Sequence, residues 1–459
     1  MEQGTKEQRD MPTTSKNKKK SRKRNNHKNS ASSKETEVVH VASLCTEDGR
    51  LIEMVYNPPS VPPLRFNVFE GNKRKTTNSL TIDGKRILPV GDRTGMVEKG
   101  VVVLPSRAAN YGSQGKLVTE LMTFIHRYVD VPDFWEELIA HYVLMTWVFD
   151  RFTAVPYLRF LGEYGTGKTR FLQVSGHLCY KAINAGGAIT ASPLFRLLEI
   201  WRGTFVLDEA DFKNSDAWAE IIKILNSGYM RGIPVIRSEK MGERYEPRAY
   251  DVFGPKILAN RSRFEDSALE SRCITLETVE QSVRADIPLQ LPHEFYKEAR
   301  ELRNKLLMWR FENYDRIRAD ESKLRHLEPR LTQIGTPVYS VSCDPGFRAR
   351  LIAFLGEYSA EERSHRPQAA VVEAIRRQLQ VDAVLKQPGW NSLSVKGVAE
   401  EAKKVAESWE NGIFLSAKRV GGIIRSLGFK SERKRDGYKF VVDEGRLAQL
   451  TKKYGPNTV

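Results

Sequence analysis

Gly162-Glu163-Tyr164-Gly165-Thr166-Gly167-Lys168-Thr169 is the stretch whose reading decides the fold. Its glycines let the backbone curl so that successive N–H groups surround a phosphate, and Lys168 adds a positive charge that reaches outward. The flanks suit that chemistry. Tyr157–Leu161 before the loop reads as an apolar strand and residues 171–178 after it as a helix, whose N-terminal dipole favours an anion. A glycine-rich turn can match G-x-x-x-x-G-K-[ST] by chance, but not usually between a strand and a helix. Gly162, Gly165, Thr166, Gly167, Lys168 and Thr169 are therefore expected to hold ATP, with Lys168 on the β- and γ-phosphates and Thr169 as a Mg²⁺ ligand.

Downstream, Thr204-Phe-Val-Leu-Asp208-Glu209-Ala-Asp211 is an apolar strand running into carboxylates. Asp208 at the strand's carboxyl edge can hold Mg²⁺ through water, and Glu209 can polarise an attacking water. Alone, such acids also fit a solvated strand end or a helix cap. Asn260 ends a further strand pattern, where its amide can orient the lytic water; an Asn closing a strand into a turn is the alternative. Arg272, just before the apolar run 273–276, is expected to reach the nucleotide of a neighbouring subunit as an arginine finger, or else to pair with Glu270 on the surface. Arg330 is a second candidate phosphate sensor. An arginine acting in trans needs head-to-tail contacts, which close into a ring, and a hexamer is expected.

Between the acids and Asn260, residues 215–225 read as a helix, and 233–237 with 248–252 as a hairpin carrying Lys240, Gly242 and Arg244 near its tip. In a ring, Lys240 and Arg244 would face the channel and hold phosphates of a single strand. The competing reading is a solvated hairpin charged for solubility.

The composition agrees with a polyanionic partner. Lys and Arg number 73 against 57 Asp and Glu, a net charge of +16. Much of the surplus lies in residues 1–37, a basic arm without the apolar content of a core and expected to be disordered. The arm fits a solubility tail and a nucleic-acid contact about equally, and the same run would also pass for a nuclear-import signal. The longest apolar run, 142–149, is far shorter than the roughly 20 residues of a membrane span, so no membrane partner is expected. A cytoplasmic location is expected, or a nuclear one in a eukaryotic host. Cys45, Cys179, Cys273 and Cys343 lie far apart, without zinc or disulfide spacing, and read as free thiols.

Around the loop the chain divides by pattern. Residues 38–107 suggest a small β-rich region, with runs at 65–68 and 101–104. Residues 108–155 form a helical lead-in, Asp133 and Glu136 standing at capping-box spacing. The fold class expected for 156–277 is α/β, a P-loop NTPase core with a parallel sheet, and 278–360 would be its helical lid. Residues 361–459 read as helices at 371–379, 395–409 and 416–427, then strands at 429–433 and 438–442 about the turn Lys434-Arg-Asp-Gly437. Three helices closed by a hairpin make a winged helix. Lys418, Arg419 and Arg425 would face duplex DNA from the third helix, and Arg433, Lys434 and Arg435 from the wing. Such modules also bind proteins. Val420, Ile423, Ile424 and Leu427 are expected in the core.

Taken in order, Gly162 to Thr169, Asp208-Glu209, Asn226-Ser-Gly-Tyr-Met-Arg231, Asn260 and Arg272 resemble the ATPase domains of phage, plasmid and integrative-element replication proteins, of the AAA+ and superfamily 3 helicase type. The resemblance covers residues 143–276, loosely extends to 358, and implies ATP, Mg²⁺, single-stranded and duplex DNA and a homo-oligomeric ring. Such proteins often carry a primase ahead of the ATPase, but no acidic catalytic cluster precedes Gly162 to serve as one. Three functions remain open at this level: a DNA helicase or translocase of a mobile element, a DNA-bound ATP switch that unwinds nothing, and a signalling or defence ATPase.

Overall fold

The computed structural model describes residues 37–71, 73–208, 216–278, 284–364, 367–384, 391–407, 415–435 and 437–454. The basic arm expected at the N-terminus lies almost entirely outside them, as does Glu209.

The architecture is mixed α/β around a six-stranded sheet ordered Cys273–Glu277, Tyr157–Leu161, Lys256–Asn260, Phe205–Leu207, Ala182–Ala185, Val102–Val103. The first five run parallel, and the two-residue strand at the far edge is antiparallel. Tyr157–Leu161 and Phe205–Leu207 are short and buried along their whole length because both faces of the sheet are covered, as apolar runs without polar alternation require. The first parallel strand in the chain thus lies between the last and the fourth. Chain direction away from the sheet reverses beside Tyr157–Leu161, which opens a crevice at the carboxyl ends there. Val102–Val103 joins this sheet rather than the N-terminal strands to which the sequence pattern assigns it.

Two small sheets precede the core. One holds Val38–Val41, Lys85–Pro89 and Leu80–Ile82; the other holds Ser43–Cys45, Leu51–Tyr56, Leu64–Glu70 and Lys73–Thr77. A buried ion network ties the second sheet to the core. Glu53 of Leu51–Tyr56 receives the Arg310 guanidinium at 2.8 Å and the Lys181 ammonium at 3.2 Å, and Arg310 also grips Asp150 at 2.8 Å. Tyr180 donates its hydroxyl to the same Glu53 carboxylate. Burial pushes the Lys181 ammonium down to about 8, against the pull of Glu53.

Helices Gln114–Tyr128 and Asp133–Thr146 form the lead-in. The second is buried on nearly every side from Leu138 to Thr146, as an all-round apolar helix must be. The capping box expected from Asp133 and Glu136 does not form. Pro132 occupies the cap position, Asp133 is already helical, and Glu136 is drawn instead to the His126 ring at 2.6 Å. His293–Asn313, Pro329–Val341 and Pro345–Ser364 are the helices after the sheet.

The C-terminal residues build their own core from Pro367–Val384, Val395–Glu407, Ala417–Ser426 and the closing helix Glu444–Tyr454, which the sequence pattern did not disclose. Val420, Ile423, Ile424 and Leu427 are buried in it. Ser416 caps the third helix by accepting from the Arg419 amide, and Gly428 follows it at φ +94°, so the start and stop signals act where the sequence places them. Ser431–Lys434 and Gly437–Val441 pair as the hairpin, and Ser392–Ser394 adds a third strand to it.

Candidate active site

The loop from Gly162 leaves the carboxyl end of Tyr157–Leu161 and enters helix Lys168–Leu178. Gly165 and Gly167 stand at φ +79° and +81°, a left-handed conformation that side chains rarely adopt. Gly162 is required for a different reason. A Cβ there would lie 2.0 Å from Thr278 Oγ1 and 2.9 Å from the Thr278 carbonyl oxygen. Below the loop, Phe160 stacks on Phe171 with centroids 4.4 Å apart, which fixes the helix on its strand.

Lys168 Nζ donates to the carbonyl oxygens of Gly162 and Glu163, both at 2.5 Å. An anionic phosphate is a stronger acceptor than either carbonyl, because charge-assisted bonds are roughly twice as strong. Thr169 Oγ1 donates to Asp208 Oδ2 at 2.8 Å, across 39 residues of sequence. A hydroxyl and a carboxylate in contact beside a phosphate-shaped loop are the oxygen donors a hard divalent cation accepts, so these residues fit Mg²⁺.

Asn260 is the last residue of its strand, buried, in register with Leu161, and its carbonyl accepts from the Gly162 amide at 3.2 Å. It thus stands at the start of the loop. The next residue, Arg261, covers the ring of Tyr164 at 3.9 Å.

Arg272 is elsewhere. It precedes Cys273, which is in register with Tyr157, so it sits at the amino ends of the strands, one strand length from Gly162. No surface pair with Glu270 forms. Glu270 binds Arg159 and Arg263, while Arg272 donates to the Ala268 carbonyl and stacks on the Tyr229 ring at 4.1 Å. Arg330 meets the same ring at 4.9 Å, so the two arginines singled out by sequence converge on one tyrosine.

Arg159 escaped the sequence reading because it lies within an apolar strand. It is fully buried, and its guanidinium holds Glu270 and Thr275, which pins the short helix Ser267–Glu270 that leads to Arg272. Lys256 is likewise hidden in a strand. Its ammonium donates to the carbonyls of Gly228, Val252 and Gly254 at 2.7–2.9 Å. Burial depresses it to about 7, with Asp251 opposing.

The hairpin runs Val235–Met241 and Arg244–Tyr250, longer than expected, with Arg237 opposite Arg248 and a turn at Gly242. Its base is anchored by buried Val235 and Tyr250, the latter against Phe195, and nearer the turn Glu239 lies between Arg196 and Arg248. Seven residues per strand make the hairpin about 20 Å long. Lys240, Met241, Arg244 and Tyr245 are all exposed there. On the C-terminal unit, Lys418, Arg419, Arg425, Arg433, Lys434 and Arg435 are also exposed.

No family model and no curated protein matches this chain. Solved structures similar to it include helicases. The SCCmec type IV Cch active helicase is 12% identical, with a TM-score of 0.43, and the match covers 90% of this chain and 81% of that one. An apo structure of the NrS-1 C-terminal region is 10% identical at a TM-score of 0.36, covering 85% and 96%. The JCV helicase is 12% identical at 0.25, covering 54% and 63%. Among the described residues, no helix is long and apolar enough to cross a membrane.

Proposed function

We propose that this chain is an ATP-dependent DNA helicase or translocase of a mobile genetic element, working as a ring. The observation that carries the reading is the Thr169 to Asp208 contact at the carboxyl edge of a parallel sheet, directly beside a loop whose Gly162, Gly165 and Gly167 each exclude a side chain. Lys168 would exchange its two carbonyl partners for the phosphates of ATP, and Thr169 with Asp208 would hold Mg²⁺. When bound, the metal neutralises phosphate charge during transfer. Asn260 at the loop's start is suited to orient water, and Glu209, outside the described residues, follows Asp208 in sequence as the base that would polarise it.

Arg272 lies one strand length from its own chain's loop, buried against Tyr229, so acting on a neighbouring subunit's nucleotide would require it to leave that stack; the ring, hexameric by resemblance, rests on that reach. The hairpin's length supports a strand grip by Lys240 and Arg244, and the exposed cations of the C-terminal unit support a winged-helix dock on duplex DNA. The test is displacement of a labelled strand from a forked duplex. The native protein with ATP and Mg²⁺ should release the strand and Lys168→Ala should not. Duplex binding with no strand release by either would sink the helicase reading in favour of an ATP switch.

A further inference from the structure

The C-terminal unit carries a groove of about 380 Å³ lined by Val395, Lys396, Lys418, Gly421, Arg425 and Tyr438 among others. Three elements meet there: the start of Val395–Glu407, one face of Ala417–Ser426, and the hairpin. Among the described residues, Lys396, Lys418 and Arg425 have no ion-pair partner, so three cations converge without an acid to neutralise them. Gly421 lies on the floor, where the helix presents no side chain to the groove.

Tyr438 is the decisive residue. Side chains alternate along a strand, so Tyr438, Phe440 and Val442 share one face of the hairpin. Phe440 and Val442 are buried in the core, whereas Tyr438 on the same side is 52% exposed and overhangs the groove. Arg433 is its direct cross-strand partner. An aromatic ring turned inward but left uncovered, above unpaired cations, offers a stacking face and a phosphate site together.

We infer that this groove binds one unpaired nucleotide of a DNA strand, its base on Tyr438 and its phosphates on Lys396, Lys418 and Arg425. A base inside a duplex is stacked on both faces and cannot use Tyr438, so the C-terminal unit selects the junction between duplex and single strand. The inference rests on reading this unit as a DNA-binding module.

The experiment uses the full chain with Lys240→Ala/Arg244→Ala as background, so that fork preference reports the C-terminal unit. A forked duplex carrying 5-iodouracil at its first unpaired position is irradiated and the attachment residue mapped by mass spectrometry. Attachment at Tyr438, with a fully paired duplex giving little, is the expected result. Tyr438→Ala should lower fork affinity at least about fivefold and leave duplex affinity unchanged, and Tyr438→Phe should restore the preference. Absence of attachment at Tyr438, or equal loss on fork and duplex, overturns the inference. If Lys418→Glu/Arg425→Glu binds fork and duplex as tightly as the background protein, the DNA-binding reading of the unit fails and the inference with it.

Discussion

Replacing Arg310 by methionine tests whether the buried ion network holds the N-terminal sheet to the core. The Arg310 side chain is 3% exposed, and its guanidinium donates to Glu53 at 2.8 Å, to both Asp150 oxygens at 2.8 and 2.9 Å, and to the Trp147 carbonyl. Methionine fills similar volume but leaves Glu53, 2% exposed, with only Lys181 and Tyr180. Removing one partner of a buried pair costs about 3–5 kcal/mol, because the other charge stays buried. Asp150 is 29% exposed and regains some water, which favours the lower end of that range. Glu53→Gln should also destabilise, and the double variant should lose less than the sum, with about 1–3 kcal/mol of coupling for groups in direct contact. Urea unfolding of the four proteins at one pH gives the cycle. A loss below about 1 kcal/mol for Arg310→Met, or strict additivity, would refute the argument.

Other predictions concern the site and the core. Gly162→Ala should push the loop off Thr278 and reduce ATP hydrolysis by about 100-fold with little change in the melting curve; near-native turnover would show that the loop tolerates the Cβ. If Arg272 acts in trans, mixing the inactive Arg272→Ala and Lys168→Ala proteins should restore part of the activity, and no recovery at any ratio argues against it. Tyr229→Leu should remove the ring shared by Arg272 and Arg330 and lower turnover without weakening ATP binding, which a titration of rate against ATP separates. His141 is buried against Phe347, and burial depresses it to about 4. Its folded pKa lies below its unfolded value near 6.5, so its contribution is complete above 6.5. As pH falls toward 4 the unfolded chain takes up the proton first, and about 3 kcal/mol is lost. Urea midpoints should fall over that range, and His141→Leu should flatten the fall.

What the sequence disclosed and what it hid divide along physical lines. The loop was legible because its demands are local: glycines, a lysine and flanking elements all lie between Tyr157 and Leu178. The C-terminal helices and hairpin were legible for the same reason, through Ser416, Gly428 and the turn at Gly437. The hairpin before Asn260 was recognised but cut short, since Lys240 and Arg244 extend the pairing although exposed charges read as loop. Arg159, Lys256 and Glu53 were hidden because each lies in a strand pattern and is satisfied by groups remote in sequence, Glu270, Gly228 and Arg310. The capping box failed because His126, ten residues earlier, competes for Glu136. Tyr229 falls in the segment 226–231 that carries part of the resemblance, but nothing local marks it as the ring that two distant arginines share.

The most direct test of the account is ATP hydrolysis measured with no DNA, with single-stranded DNA and with duplex, for the native protein, Lys168→Ala and Lys240→Ala/Arg244→Ala. The account predicts strong stimulation by single strands, no turnover with Lys168→Ala, and basal turnover without stimulation in the hairpin variant. Turnover that ignores both DNAs, or survives loss of Lys168, would contradict it.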